Sequence, residues 1–184
     1  MTDAIRSRDE RGDLELIDAW RAGDERAATL LVSRHAPAVA RFVVSCGERE
    51  EVDELVQDTF VRAFGALDGF RADSSLRTWL FTIARRLLLD RRRADRRRRD
   101  RVQIDEADAV TEVDALDGVV AGETERRIGQ AMARLSPKQR EVFTLRVTEG
   151  LTYKDIADVV GTTEGAARVH YHNAVQTIKE FLDD

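Results

Sequence analysis

A chain of 184 residues with 42% apolar residues can bury the core of one ordinary domain or two small ones. Charged residues make up 35% and the formal net charge is -5, so the surface is heavily solvated or meets charged partners. A lone cysteine, Cys46, excludes an internal disulfide; the start MTDAIRSRDERGD lacks a secretory leader, and no apolar run approaches the ~20 residues that span a bilayer.

With 2 prolines, 11 glycines and little strand alternation, the fold class expected is all-α. Asp13 can cap a first helix carrying Leu14, Ile17 and Trp20, which AGDE (22–25) breaks. A second helix starts near Asp24 and carries Ala27, Leu30, Leu31, His35, Val39 and Phe42, with Pro37 as a potential kink. Cys46, beside Val43 and Val44, reads as a small core residue, a redox thiol being the alternative. In REEVDELVQDTFVRAFGAL, the residues Val52, Leu55, Val56, Phe60, Ala63, Phe64 and Leu67 line one helical face. Asp53, Glu54, Gln57, Asp58 and Arg62 are left outside it. GFRADSS is a loop in which Ser74 or Ser75 caps a fourth helix from about Leu76. Trp79, Leu80, Ile83, Ala84, Leu87 and Leu88 form its buried stripe, and it runs on into RRLLLDRRRADRRRRDR.

That run, residues 85–101, holds ten arginines and three aspartates, a net +7 in an acidic chain. Residues 102–125 hold eight acidic and no basic side chains and include Gly118 and Gly122. The sign reversal marks a boundary: an N-terminal helical domain at 1–101, a flexible acidic linker at 102–122 and a C-terminal domain at 123–184. In the last, Ser136 caps a helix with Pro137 in its first position and Val142, Phe143, Leu145 and Val147 following. Thr152 caps YKDIADVV, which stops at Gly161. Thr162 or Thr163 opens a longer helix with Ala167, Tyr171, Ala174, Val175 and Ile178 inward. Short helix, glycine turn, longer helix is the helix-turn-helix pattern.

Catalytic chemistry finds no foothold in this pattern. His170 and His172 fall on different faces of one helix, His35 stands apart, and no cysteine cluster completes a metal site. The carboxylates lie on solvated faces rather than in an acid/base pair. A non-enzymatic, cofactor-free cytoplasmic protein is expected.

Three blocks, in order, resemble the sigma-70 family of bacterial RNA polymerase sigma factors, specifically its extracytoplasmic-function (ECF) group. VDELVQDTFVRAF resembles the helix that docks on the polymerase clamp, which implies core-polymerase contacts at Asp53, Glu54, Gln57, Asp58 and Arg62. FRADSSLRTWLFTIARRLLLDRRR resembles the loop and helix that read and melt the minus-ten element. The loop would capture an unstacked base without ATP hydrolysis, with Phe70, Arg71, Asp73, Ser74 and Ser75 as pocket candidates. Arg85, Arg86, Asp90, Arg91 and Arg92 follow on the helix; whether Arg96 to Arg101 also reach DNA stays open, the other reading being a solvated helix end. LSPKQREVFTLRVTEGLTYKDIADVVGTTEGAARVHYHNA resembles the minus-thirty-five reader. It implies Arg140 and Lys154 as phosphate positioners and Glu164, Arg168, Val169 and His172 on the outward recognition face.

Two departures bear on specificity. The family's usual IARN is IARR here, so Arg86 replaces a base-contacting asparagine and favours guanine edges or phosphate. The recognition helix carries fewer basic residues than is usual, which implies weaker minus-thirty-five affinity or help from another contact. The resemblance also implies promoter DNA and an anti-sigma factor as partners, with no insertion into the membrane. A response-regulator-type protein would share the helix-turn-helix, but residues 1–101 show no α/β receiver pattern.

Overall fold

A computed structural model describes residues 12–102 and 123–183, with side chains at 12–99 and 126–183. Those residues form eight α-helices, one short 3-10 turn and no strand. The acidic linker, but for Val102, lies outside the described residues.

The N-terminal module contains α1 (Asp13–Arg21), α2 (Glu25–Ser45), α3 (Val52–Gly65) and α4 (Leu76–Val102), with a 3-10 turn at Leu67–Gly69. Helix α2 starts where Asp24 accepts from the Arg26 N–H at 3.0 Å, and it runs unbroken through Pro37. Leu16, Ile17, Leu31, Val39, Phe42, Leu55, Leu80, Phe81 and Leu88 close the core. Each such side chain contributes ~1.5–3 kcal/mol by leaving water. Phe42 and Phe81 meet at 5.2 Å between ring centroids, tying α2 to α4.

Asp13 does not cap α1. Gly12 is the N-cap, and the Asp13 carboxylate reaches α2 instead, accepting from Arg34 at 2.7 Å and contacting His35 Nε2 at 2.9 Å. Leu14, expected inside, is 56% exposed. The inward pair is Leu16 and Ile17, and Leu14 lies about 200° around the helix from Leu16.

The C-terminal module contains α5 (Glu123–Ala133), α6 (Pro137–Val147), α7 (Tyr153–Val160) and α8 (Glu164–Asp183). Helix α5 has no clear signal in the sequence pattern. Its charged ETERR start blurs the apolar stripe, although Ala131 and Leu135 are buried behind it. Ser136 and Gln139 bond reciprocally at the start of α6, and the Thr152 hydroxyl accepts from the Asp155 N–H at 3.1 Å at the start of α7. Gly161 ends α7 with φ 66°, the left-handed conformation that glycine adopts cheaply. Thr163, not Thr162, takes the Ala166 N–H at 3.1 Å and opens α8. Val147 is 54% exposed because the inward face of α6 passes through Glu141, Val142, Thr144 and Leu145.

The modules are in contact. Helix α6 packs on α2 and α7 on α4, and one buried apolar cluster runs from Leu16 to Ala167.

Candidate polymerase and nucleic-acid interface

Helix α3 buries Leu55, Thr59, Phe60 and Ala63, which forces the intervening positions outward. Asp53, Glu54, Gln57 and Arg62 are exposed and Asp58 is half-exposed. Val61, one turn beyond Gln57, is 65% exposed beside them. Its position follows from the i+4 step from Gln57; a single exposed apolar side chain is ordinary protein surface and bears on docking only together with the acidic residues around it.

Arg91 crosses to this face from α4. Its guanidinium bonds Glu51 and lies 2.7 Å from Glu54 and 3.5 Å from Asp58. Burial works against its charge, but the Glu54 and Glu51 carboxylates hold its pKa above the ordinary value. The structure therefore groups Arg91 with the acidic α3 face. Arg92 donates to the Cys46 carbonyl at the end of α2, where a cation complements the helix dipole. The Cys46 thiol is buried, which pushes its pKa up to about 12, so it behaves as core.

The loop before α4 turns sharply. Ala72 has φ 58°, a left-handed conformation that costs a non-glycine residue ~1–2 kcal/mol. Arg71 and Asp73 project into solvent on either side. Phe70 is half-buried against Trp79 at 5.1 Å between centroids, so Trp79 serves as its anchor. Ser75, rather than Ser74, caps α4 by accepting from the Thr78 N–H at 3.0 Å. Along α4, Arg86 and Asp90 are exposed, Asp90 lying 3.4 Å from Arg93. Arg96 to Arg99 are exposed as well, and the side chains of Asp100 and Arg101 lie outside the described residues. Arg85 is mostly covered, with its Nε 2.8 Å from a Glu141 carboxylate oxygen.

In the C-terminal module Arg140 is bound to its own chain. It donates to the carbonyls of Met132 (2.9 Å), Ala133 (3.2 Å) and Leu135 (3.3 Å), closing the end of α5. Desolvation lowers its pKa from the ordinary arginine value. Lys154 is exposed on α7. Glu164, Arg168, Val169 and His172 share the exposed side of α8, while Ala167 and Ala174 are buried. Arg168 pairs with Glu164 and lies 4.6 Å from the Tyr153 ring centroid. That stacking fixes the side chain across the α7–α8 turn. Among the described residues no cluster of His, Cys, Asp or Glu could hold a metal, and no helix is long and apolar enough to cross a membrane.

Comparison with known proteins matches these modules in order. Residues 31–98 match the family model for sigma-70 region 2, and residues 125–178 match that for sigma-70 region 4. An ECF RNA polymerase sigma-E factor of Haemophilus influenzae is 29% identical over 91% of this chain and 93% of its own. The ECF RNA polymerase sigma-E factor of Escherichia coli is 30% identical over 90% of this chain and 92% of its own. Among solved structures, the sigma factor RpoE in complex with the anti-sigma factor NepR from Bartonella quintana aligns with a TM-score of 0.68 at 27% identity, covering 87% of this chain and 97% of its own. CnrH in complex with the cytosolic domain of CnrY aligns with a TM-score of 0.65 at 30% identity, covering 93% and 97%.

Proposed function

The chain belongs to the sigma-70 family, in its ECF group of RNA polymerase sigma factors, and from that premise we propose which of its surfaces meet polymerase and which meet promoter DNA. A sigma factor is a non-enzymatic subunit that gives core polymerase its promoter specificity and helps to melt the start site. In our reading, residues 1–101 hold the polymerase and the minus-ten element, residues 102–122 link, and residues 123–184 hold the minus-thirty-five element.

The observation that carries this reading is the α3–α4 pair. Helix α3 offers carboxylates and Val61 to one side, while α4 and its strained entry loop offer exposed arginines. Asp53, Glu54, Gln57, Asp58, Val61 and Arg62 take the polymerase, with Arg91 holding Glu54 and Asp58 in place. Phe70, Arg71, Asp73, Ser74 and Ser75 take the extruded base. Arg86 then meets a guanine edge or phosphate, with Arg85 and Asp90 flanking it. Arg92 supports the fold behind them. Glu164, Arg168, Val169 and His172 face the upstream element, and Lys154 meets phosphate. Arg140 positions α5 against α6 rather than touching DNA.

The protein works in the cytoplasm, where polymerase and chromosome are. One structural relative was solved with the anti-sigma factor NepR bound, and another with the cytosolic domain of CnrY. A partner of that class, covering the α3 face, is the control we infer for this chain. Core-polymerase binding by Asp53→Ala/Asp58→Ala tests the reading: affinity should fall by roughly 1–2 kcal/mol with helicity unchanged. Unchanged affinity would remove α3 as the docking face.

A further inference from the structure

Two carboxylates of the C-terminal module are buried, and arginines of the N-terminal module pair with both. Glu149, in the turn after α6, has a side chain 0% exposed. It accepts from Arg41 Nε at 3.1 Å, from Arg41 Nη2 at 3.4 Å and from Arg77 Nη2. Glu141, on α6, is 5% exposed and accepts from Arg85 Nε at 2.8 Å. A carboxylate out of water needs a cation, so these contacts fix how the modules meet.

The ion pairs themselves add little net stability to the closed arrangement, which the shared apolar cluster also holds. Attraction within a buried pair roughly offsets the desolvation of its members. Arg77 meets Glu149 through Nη2, while its Nε is buried with no acceptor. Separation would return both carboxylates to water and uncover Arg85, the most covered of the three arginines.

We propose that these pairs form an intramolecular latch, in which Glu141 and Glu149 occupy Arg85, Arg77 and Arg41 until nucleic-acid phosphate competes for the same arginines. The latch makes the C-terminal module a surrogate anion for the promoter-facing side of α4. This step rests on reading Arg85 as promoter-facing; the closure itself does not. Linkage gives the consequence: if DNA binds only the open chain, apparent affinity is reduced by the open fraction, and DNA in turn opens the chain. A chain open one tenth of the time binds roughly tenfold more weakly than one held open.

The test uses the full chain with fluorophores at Asp68→Cys and Lys179→Cys, both exposed and outside the latch. Buried Cys46, with its raised pKa, does not compete for the labels. High energy transfer is expected in the parent chain, and a clear drop in Glu141→Gln/Glu149→Gln. Binding of a labelled single-stranded oligonucleotide, without polymerase, should tighten several-fold in that variant. Added oligonucleotide should also lower transfer in the parent. Equal transfer in parent and variant would overturn the latch. Opening with unchanged oligonucleotide affinity would overturn the competition while leaving the closure. If the double variant does not fold, Arg41→Gln/Arg77→Gln removes both partners of Glu149 from the other side and should also lower transfer; an unchanged value would overturn the proposal equally. Polymerase binding through α3 uses none of these side chains, so loss of that docking face would leave the latch standing.

Discussion

The arginine-rich end of α4 and the outward face of α8 use charge in opposite ways. On α4, the cations nearest the core are taken up by the protein: Arg85 by Glu141, Arg91 by the α3 carboxylates and Arg92 by the Cys46 carbonyl. Arg86 and Arg96 to Arg98 remain exposed. On α8 the charge is sparse, yet Arg168 is held in place by Glu164 and Tyr153. The lesson is that the count of cations in a stretch does not give the charge shown to DNA. Packing decides, position by position, which guanidinium faces outward.

Several substitutions would break or sharpen that contrast. The largest effect is expected where α4 is anchored. Phe81→Ala should cost ~3–5 kcal/mol by urea denaturation, because a ring 0% exposed leaves a cavity against Phe42. Arg86→Ala should weaken binding to a minus-ten oligonucleotide by ~1–3 kcal/mol and leave stability alone. Arg91→Ala should do the reverse, lowering stability by up to ~1 kcal/mol and loosening the α3 face for polymerase. Equal effects of the two on DNA would erase the distinction between them. In the other module, Arg140→Ala should lower stability by ~1–2 kcal/mol through freed carbonyls of α5, with no change in the salt slope of DNA binding. Ala72→Gly should raise stability by ~1 kcal/mol by relieving the left-handed residue, read as a shift in urea midpoint.

The smallest effect concerns pH and sits away from both surfaces. Hydrogen bonding to His35, with help from Arg34, holds the Asp13 carboxyl below its usual 3.8. A depressed carboxylate stabilises the fold fully above the unfolded value and loses that contribution as pH falls through the folded one. Asp13→Asn should therefore lower stability most at pH 7, where the ionised carboxylate contributes fully, and the gap from the parent chain should close as pH falls below about 4.

Most helices were legible because α2, α3, α4 and α8 repeat apolar residues at three and four positions, and Ser136, Thr152 and Gly161 mark ends in local chemistry. The outward residues of α3 and α8 followed from the same periodicity. Contacts between distant segments did not. Nothing near Asp13 announces that it leaves its own helix for His35, and nothing near Arg91 announces Glu54. Glu141 and Glu149 look like ordinary surface carboxylates in sequence, because their burial is created by α2 and α4 from another module. Helix α5 escaped notice because five polar or charged residues open it.

This chain programs polymerase to start at particular promoters. The direct measurement is transcription from a genomic promoter library with purified core polymerase, with and without the protein. Start sites that appear only when it is present, and that weaken with Asp53→Ala/Asp58→Ala and with Arg86→Ala, are the expected result. Start sites that are the same in its absence would contradict the account.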